Sequence, residues 1–397
     1  MSRDFRRLWV GQGLSYVLGA VTYVALPYQV YKLTGSTFAV GAIAIVELVP
    51  LLTLTFVGGA AADALDRRRL LVWTEVGTAA SVAGLVVNAA LPHPLVEACF
   101  VLAFFAAAFS SLGAGASRSL IPRLVPPEHL IAALALNSLY SSLGSVAGPA
   151  LGGVLIATIG VTGAYAVGAV GFAASLLAFW LLPSIVPLAG GEPPGLRSVV
   201  EGFRFLRKQR VILGCFLVDT NAMVFGMPSA LFPAIALTTL DAGPEAVGYL
   251  YAAPAAGALL IALASGWIGH VRKQGMAILV AASLWGVAIA AFGFAESLWL
   301  ALLLLAAAGA ADAVSAVLRN TIMLTSTPDH LQGRVSAAYL AQVTGAPRLG
   351  NLEAGALASL TSVRFSVVSG GILCIVGTLL LALAIPSLVR YDANNNE

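Results

Sequence analysis

The chain has 397 residues, of which 59% are hydrophobic and 10% charged, with a formal net charge of +3. Mean hydropathy is +0.93. An ordinary soluble domain carries about 25% charged residues; a deficit spread along the whole chain excludes a soluble enzyme and a soluble domain on one anchor, and predicts an all-α polytopic membrane protein.

A helix needs about 20 mostly apolar residues to cross the hydrocarbon core. Twelve segments meet that need: 8–31, 38–60, 70–91, 95–117, 134–158, 161–183, 211–237, 246–269, 275–295, 298–319, 335–359 and 366–389. The chain opens on the basic stretch "MSRDFRR". The apolar run after it continues to about Tyr31, too long for a signal h-region, so no cleaved signal peptide is expected. Between the seventh and eighth spans, "LDAGPEA" is a turn sequence. Cys99, Cys215 and Cys374 lie far apart in apolar segments and suggest neither a disulfide framework nor a metal site. No phosphate-binding loop and no Ser-His-Asp arrangement is present, so no cofactor and no enzymatic activity are expected.

Basic residues set the predicted orientation. With an even number of spans, Arg3, Arg6 and Arg7, Arg67 to Arg69, Arg118 and Arg123, the arginines and lysine of the central loop, Arg272, Lys273, Arg319, Arg334 and Arg390 share one side. Only Lys32 and Arg364 fall on the other, and Arg348 lies within a span. Both termini and the central loop are therefore expected in the cytoplasm.

The central loop, 184–210, divides the chain into halves 1–183 and 211–397. It begins with the flexible "AGGEPPG". "LRSVVEGFRFLRKQR" follows, with Val199, Phe203 and Leu206 at helical spacing. A basic amphipathic helix on the membrane surface is expected there. The halves are related: "RSLIPRLVPPEHL" (118–130) aligns without gaps on "RNTIMLTSTPDHL" (319–331), and Gly41 and Gly59 fall on Gly248 and Gly266. Two six-span repeats of parallel topology imply a pseudo-twofold axis along the membrane normal.

Two motifs carry chemistry. The loop after the second span reads "GGAAADALDRRRLL", with Gly59, Asp63 and the basic cluster Arg67, Arg68 and Arg69. The fifth span contains "GSVAGPALGG", residues 144–153. Its Gly144, Gly148 and Gly152, four apart, make one small-residue face suited to close helix approach in a bilayer. Pro149 removes a backbone hydrogen bond and bends the helix.

Together these stretches resemble the major facilitator superfamily. The first is similar to its glycine-aspartate-basic loop signature, with Ala64 and Asp66 departing from it. The second matches its antiporter signature at Gly144, Gly148, Pro149, Gly152 and Gly153. The resemblance implies the twelve-helix major facilitator fold, with Asp63 as an inner latch at the start of the eleventh span. It makes the eighth span the partner of the glycine face, and export the direction of transport. "GLSYVLGAVTYVALPYQVYKLTGSTFAVG", "GYLYAAPAAGALLIALASG" and "TPDHLQGRVSA" look like the enterobactin-exporter branch, which exports catecholate siderophores. The fourth span lacks the arginine that many drug antiporters of the superfamily carry there.

Carboxylates within spans are functional hypotheses, because a carboxylate taken out of water can exchange a proton near neutral pH. Glu47, Asp219 and Asp312 are the proton-coupling candidates. The eleventh span reads "GAPRLGNLEAG", with Arg348, Asn351 and Glu353; Arg348 either attracts an anionic substrate group or pairs with a carboxylate on another span. Tyr16, Tyr23, Tyr140, Phe225, Tyr339 and Gln342, with Arg348, are the substrate-cavity candidates, since aromatic walls with few polar groups suit amphipathic ligands. The expectation is a bacterial inner-membrane exporter of a siderophore or drug-like compound, driven by protons, embedded in the bilayer without nucleic acid or an obligate protein partner. A nutrient facilitator or importer of the same fold, and a membrane sensor or scaffold, are the alternatives.

Overall fold

The computed structural model describes residues 2–184, 200–201, 204–207 and 209–392, apart from the side chains of Phe56, Arg118 and His330. The predicted surface helix of the central loop therefore falls largely outside the described residues. Those residues are mostly helical, joined by short links, and contain no strand.

The helices in chain order are α1 (Arg3–Thr34), α2 (Thr37–Ala64), α3 (Arg67–Ala90) and α4 (Val96–Leu124). Leu130–Trp180 is a continuous helical stretch broken at Gly160, whose φ of 75° lies in the left-handed region that glycine alone adopts readily. Its two parts, 130–159 and 161–180, are α5 and α6. Then come α7 (Arg210–Phe225), α8 (Pro244–Leu263), α9 (Gln274–Phe292), α10 (Leu298–Thr325), α11 (Asp329–Leu360), α12 (Val363–Ala384) and the short α13 (Pro386–Val389). Ten helices among the described residues are long and apolar enough to cross a membrane. One of those is the stretch split at Gly160, and α11 is excluded only by its polar composition, so the architecture is consistent with twelve spans.

Two spans depart from their expected outlines. The seventh is not one helix over 211–237. α7 stops at Phe225, and the chain continues through Ser229–Leu231, Phe232–Ala234 and Ile235–Thr239 in tight and wide turns. "GMP" at 226–228 explains the break, because glycine and proline cannot carry a helix ladder through. The freed backbone groups find partners: the indole of Trp285 donates to the Gly226 carbonyl at 3.1 Å, and Asn351 Oδ1 accepts from the Ala230 amide at 2.8 Å. In lipid this satisfaction is obligatory. The eighth span ends at Leu263, and a tight helical turn follows over Ser265–His270.

The chain forms two compact units. The first comprises Met1–Gly35, Ile45–Pro193 and Gly243–Ala252; the second comprises Ser36–Ala44, Pro194–Ala242 and Ala253–Glu397. The part of α2 from Thr37 to Ala44 thus belongs with the second unit, where Thr37 Oγ1 donates to the Gly355 carbonyl of α11 at 3.0 Å. Reciprocally, the start of α8 belongs with the first. Packing inside the units repeats: α1 contacts α4, α5 and α6, and α3 contacts α4 and α6, as α7 contacts α10, α11 and α12, and α9 contacts α10 and α12. The internal repeat read from sequence is therefore a repeat of helix contacts.

Candidate functional site

α7 and α10 meet through a charged network. Asp312, Ser315 and Arg319 recur at i, i+3 and i+7 on α10, which places them on one stripe of the helix. Arg319 Nη2 lies 2.7 Å from Asp219 Oδ1 on α7 and 3.4 Å from Asp312 Oδ1. One donor nitrogen thus serves two carboxylates. Arg319 Nη1 donates to Ser315 Oγ at 2.8 Å. Gln342 of α11 donates from Nε2 to Asp219 Oδ2 at 2.9 Å and to the Phe216 carbonyl at 3.0 Å.

Asp219 is 3% exposed and Arg319 5%. The Asp312 side chain is 33% exposed, so the network has a dry end and an open end. Burying each ion costs several kcal/mol, which mutual attraction offsets only when the remaining polar atoms are satisfied. Here that satisfaction is incomplete: Arg319 Nε and Gln342 Oε1 have no hydrogen-bond partner among the described residues. The phenol of Tyr339 is within electrostatic reach of the network, and its ring meets Phe216 edge-on at 6.0 Å. Two carboxylates face one guanidinium, so with both ionised the three groups together carry one excess negative charge.

One expectation is corrected here. Arg319 does not lie in a link between spans: α10 continues to Thr325, and Arg319 is buried within it. Gln342, a substrate-cavity candidate, donates from Nε2 to Asp219, and its Oε1 has no partner among the described residues.

In the first unit, the described polar contact between α1 and α4 is a neutral pair, and the side chain of Arg118, which the repeat alignment sets on Arg319, lies outside the described residues. Gln12 donates to Ser117 Oγ at 2.5 Å and to its carbonyl at 3.4 Å. A carboxylate that sequence reading passed over, Glu75 of α3, is buried and accepts from Ser175 of α6. It lies near the start of its span, where a charged residue draws no notice. Glu47 of α2 is half-buried, within electrostatic reach of Tyr251.

The aromatic candidates separate into clusters. Tyr16 and Tyr140 meet edge-on at 6.0 Å, with Trp9 a further neighbour of Tyr140 at 6.1 Å. Tyr23 meets Tyr251 at 5.4 Å. Tyr16 and Tyr23 are the open members, 43% and 47% exposed. Phe225 closes α7, where its carbonyl lies against Gly370 of α12. Arg348 is half-buried and donates from Nη1 to the Thr344 carbonyl at 2.9 Å, one turn back on α11.

The glycine face has a different partner from the expected one. A Cβ at Gly144 would lie 2.7 Å from Tyr16 Cδ1, and one at Gly148 would lie 2.5 Å from Ala20 Cβ and 2.9 Å from the Val17 carbonyl. Gly152 abuts Val21. This face therefore packs on α1. Residues four apart share a face, but Gly153, one position on, points elsewhere, and it is Gly153 that meets α8: its Cβ would lie 2.8 Å from Gly248 Cα.

In the last turn of α2, Asp63 is exposed and its carboxylate lies 3.6 Å from Arg67 Nη2, at the start of α3. Arg67 is buried, donating to the Ala62 carbonyl at 3.1 Å and the Ser119 carbonyl at 3.3 Å. It ties the end of α2 to the end of α4, a cation placed on helix C-termini as the helix dipole favours. Arg68 donates to the Trp180 carbonyl at the end of α6 at 2.5 Å. Asp66 caps α3 by accepting from the Arg68 amide at 3.0 Å. Arg69 is exposed, 3.9 Å from Asp66.

Comparison with known proteins follows the same lines as this geometry. The profile of a family described as "Transmembrane secretion effector" matches residues 1–396. The enterobactin exporter EntS of Citrobacter koseri is 34% identical over 380 residues, covering 96% of this chain and 91% of the relative. Among solved structures, a bacterial homologue of the human lysosomal transporter Spinster superposes with a TM-score of 0.76 at 15% identity, covering 99% of this chain and all of that one. A mutant of the nucleoside transporter NupG superposes at 0.75 and 12% identity, over 97% of this chain and all of that one.

Proposed function

The chain belongs to the transmembrane secretion effector family, of the major facilitator type, and from that premise we propose that it exports a small amphipathic compound by proton-coupled antiport. It is a multi-span helical transporter. The compound class is a catecholate siderophore or a drug-like molecule; the similarity to an enterobactin exporter over nearly the whole chain supports that class. The antiporter signature at Gly144 to Gly153 supports export. The distribution of arginines and lysines supports a place in the bacterial inner membrane with both termini and the 184–210 loop in the cytoplasm. In this reading the six-span halves 1–183 and 211–397 alternate access, and the Asp63 loop latches the inner side.

One observation carries the proton: Arg319 Nη2 stands between two carboxylates, 2.7 Å from one and 3.4 Å from the other. Protonation of Asp219 removes its claim on the guanidinium and leaves Arg319 to Asp312 and Ser315. Deprotonation draws it back. A shift of that kind at the α7–α10 contact changes how two helices of one unit hold each other, which is the differential interaction a coupled transporter requires.

Inside-out membrane vesicles, energised to an acidic lumen and given catecholate siderophores or cationic dyes, test this. Substrate accumulation with proton release is expected, and Asp219→Asn should abolish the proton-driven part. Accumulation only down the substrate's own gradient would make the protein a facilitator.

A further inference from the structure

α1 begins and α6 ends at the same edge of the first unit, and a groove of about 480 Å³ runs between them. Arg3, Arg6 and Arg7 line its polar end; Leu177, Ala178 and Leu181 form its apolar wall. Arg3 and Arg6 are exposed, and no ion pair engages either among the described residues. Arg7 is fixed: it pairs with Asp4 at 3.0 Å and donates to the Leu181 carbonyl at 2.9 Å. Asp4 is the single carboxylate of the cluster.

The corresponding corner of the second unit, where α7 begins and α12 ends, is covered by the chain itself. There Ile385 and Leu388 pack over Gly214, and Leu388 is completely buried. Among the described residues no segment does this for α1 and α6. Leu177 and Leu181 remain about half exposed at the end of the membrane-spanning α6, where lipid is the neighbouring solvent.

We propose that this groove binds an anionic phospholipid, with the phosphate held by Arg3, Arg6 and Arg7 and one acyl chain along Leu177 and Leu181. The chemistry fits in both parts. Arginine forks match phosphate oxygens bidentately, basic residues at the membrane boundary attract anionic headgroups, and the apolar wall lines the same groove as the charges. A zwitterionic lipid of the same chains would fill the wall but gain little from three guanidinium groups beside one carboxylate.

Native mass spectrometry of the full chain, released from nanodiscs of equal phosphatidylglycerol and phosphatidylethanolamine with matched chains, tests the proposal. The wild-type protein should retain phosphatidylglycerol by about tenfold or more, from roughly 1 kcal/mol per basic residue. Arg3→Gln with Arg6→Gln should bring the two lipids close to parity, and Arg3→Lys with Arg6→Lys should keep most of the preference. Equal retention of the two lipids by the wild type, or an undiminished preference in the glutamine variant, would overturn it. Displacement of the lipid by millimolar inorganic phosphate would show a free-anion site and also overturn it. If the glutamine variant does not fold, the wild-type ratio and the lysine variant still decide.

Discussion

The contact between the first and fourth helices occurs twice, and the two copies use different chemistry. In the first unit Gln12 of α1 reaches Ser117 of α4, a neutral pair. In the second, Asp219 of α7 holds Arg319 of α10, one position from the residue that the gap-free repeat alignment sets against Ser117. Helix packing is a property of the repeat and is conserved between the units. Among the described residues, the buried ion pair at this contact is found in the second unit. A neutral joint keeps its hydrogen bonds whatever the pH, whereas a carboxylate shared with a second carboxylate over one guanidinium has two arrangements to choose between. In the proposed mechanism the second unit carries the proton-responsive contact and the first serves as its counterpart.

The largest effect should come from breaking the charged joint. Arg319→Ala leaves two carboxylates beside each other with no cation, and loss of one partner of a buried pair costs about 3–5 kcal/mol. Gln12→Ala removes neutral hydrogen bonds worth about 1 kcal/mol each. Denaturant unfolding in detergent should therefore separate the two variants clearly, and similar losses would remove the distinction between the joints. Asp219→Asn combined with Arg319→Gln sharpens the comparison by replacing the buried ion pair with neutral groups, leaving the partly exposed Asp312 as the remaining charge of the network. Stability should recover most of the way, while proton-driven transport stays absent.

Asp312→Asn should be milder. Asp312 is the open end of the network, at 3.4 Å from the guanidinium and 33% exposed, so water replaces part of what is lost. A loss of about 1 kcal/mol or less is expected. The informative readout is transport: with one carboxylate left, Arg319 has no second charged acceptor, and the rate of proton-driven accumulation should fall by about tenfold while binding of substrate persists. An unaltered rate would mean that Asp219 couples alone.

The spans and the internal repeat were legible in the sequence because apolar length and span order fix them. The network was half legible. Asp219 and Asp312 stand out as carboxylates in apolar surroundings, but Arg319 sits close to a span end, where arginines ordinarily mark the inner side. Orientation rules absorb it. The signal that finds it is the i, i+3, i+7 spacing of Asp312, Ser315 and Arg319, which places a cation on the same stripe as a buried carboxylate. The glycines of α5 were legible as a packed face, but spacing along one helix does not say which neighbour covers it. The break in α7 was written in "GMP", and went unread because the flanking residues are apolar enough to continue a span.

At a third contact the two units should respond alike. Gly148 of α5 abuts Val17 and Ala20 of α1, and Gly350 of α11 abuts Met223 and Val224 of α7. In both cases a Cβ would run into backbone of the facing helix. Gly148→Leu and Gly350→Leu should each cost about 1–3 kcal/mol from overpacking and block transport with the protein still present in the membrane. Unequal losses would show that the repeat conserves the contact but not its tightness.

The smallest effect on stability, and the sharpest separation of stability from function, belongs to Asp63. Its carboxylate is exposed and 3.6 Å from Arg67, and an ion pair of that kind contributes about 0–1 kcal/mol. Arg67 does not depend on it: the guanidinium also holds the Ala62 and Ser119 carbonyls, so the joint between α2 and α4 survives without the carboxylate. Asp63→Asn should therefore unfold within about 0.5 kcal/mol of the wild type. The latch role predicts that transport nonetheless falls several-fold. Arg67→Ala makes the opposite separation, because it strips two helix ends of a buried donor and should destabilise the first unit by about 1–3 kcal/mol. If Asp63→Asn transports like the wild type while Arg67→Ala does not, the loop is a brace for the first unit. If Asp63→Asn alone impairs transport, an exposed carboxylate that contributes nothing to folding must act in the transport cycle.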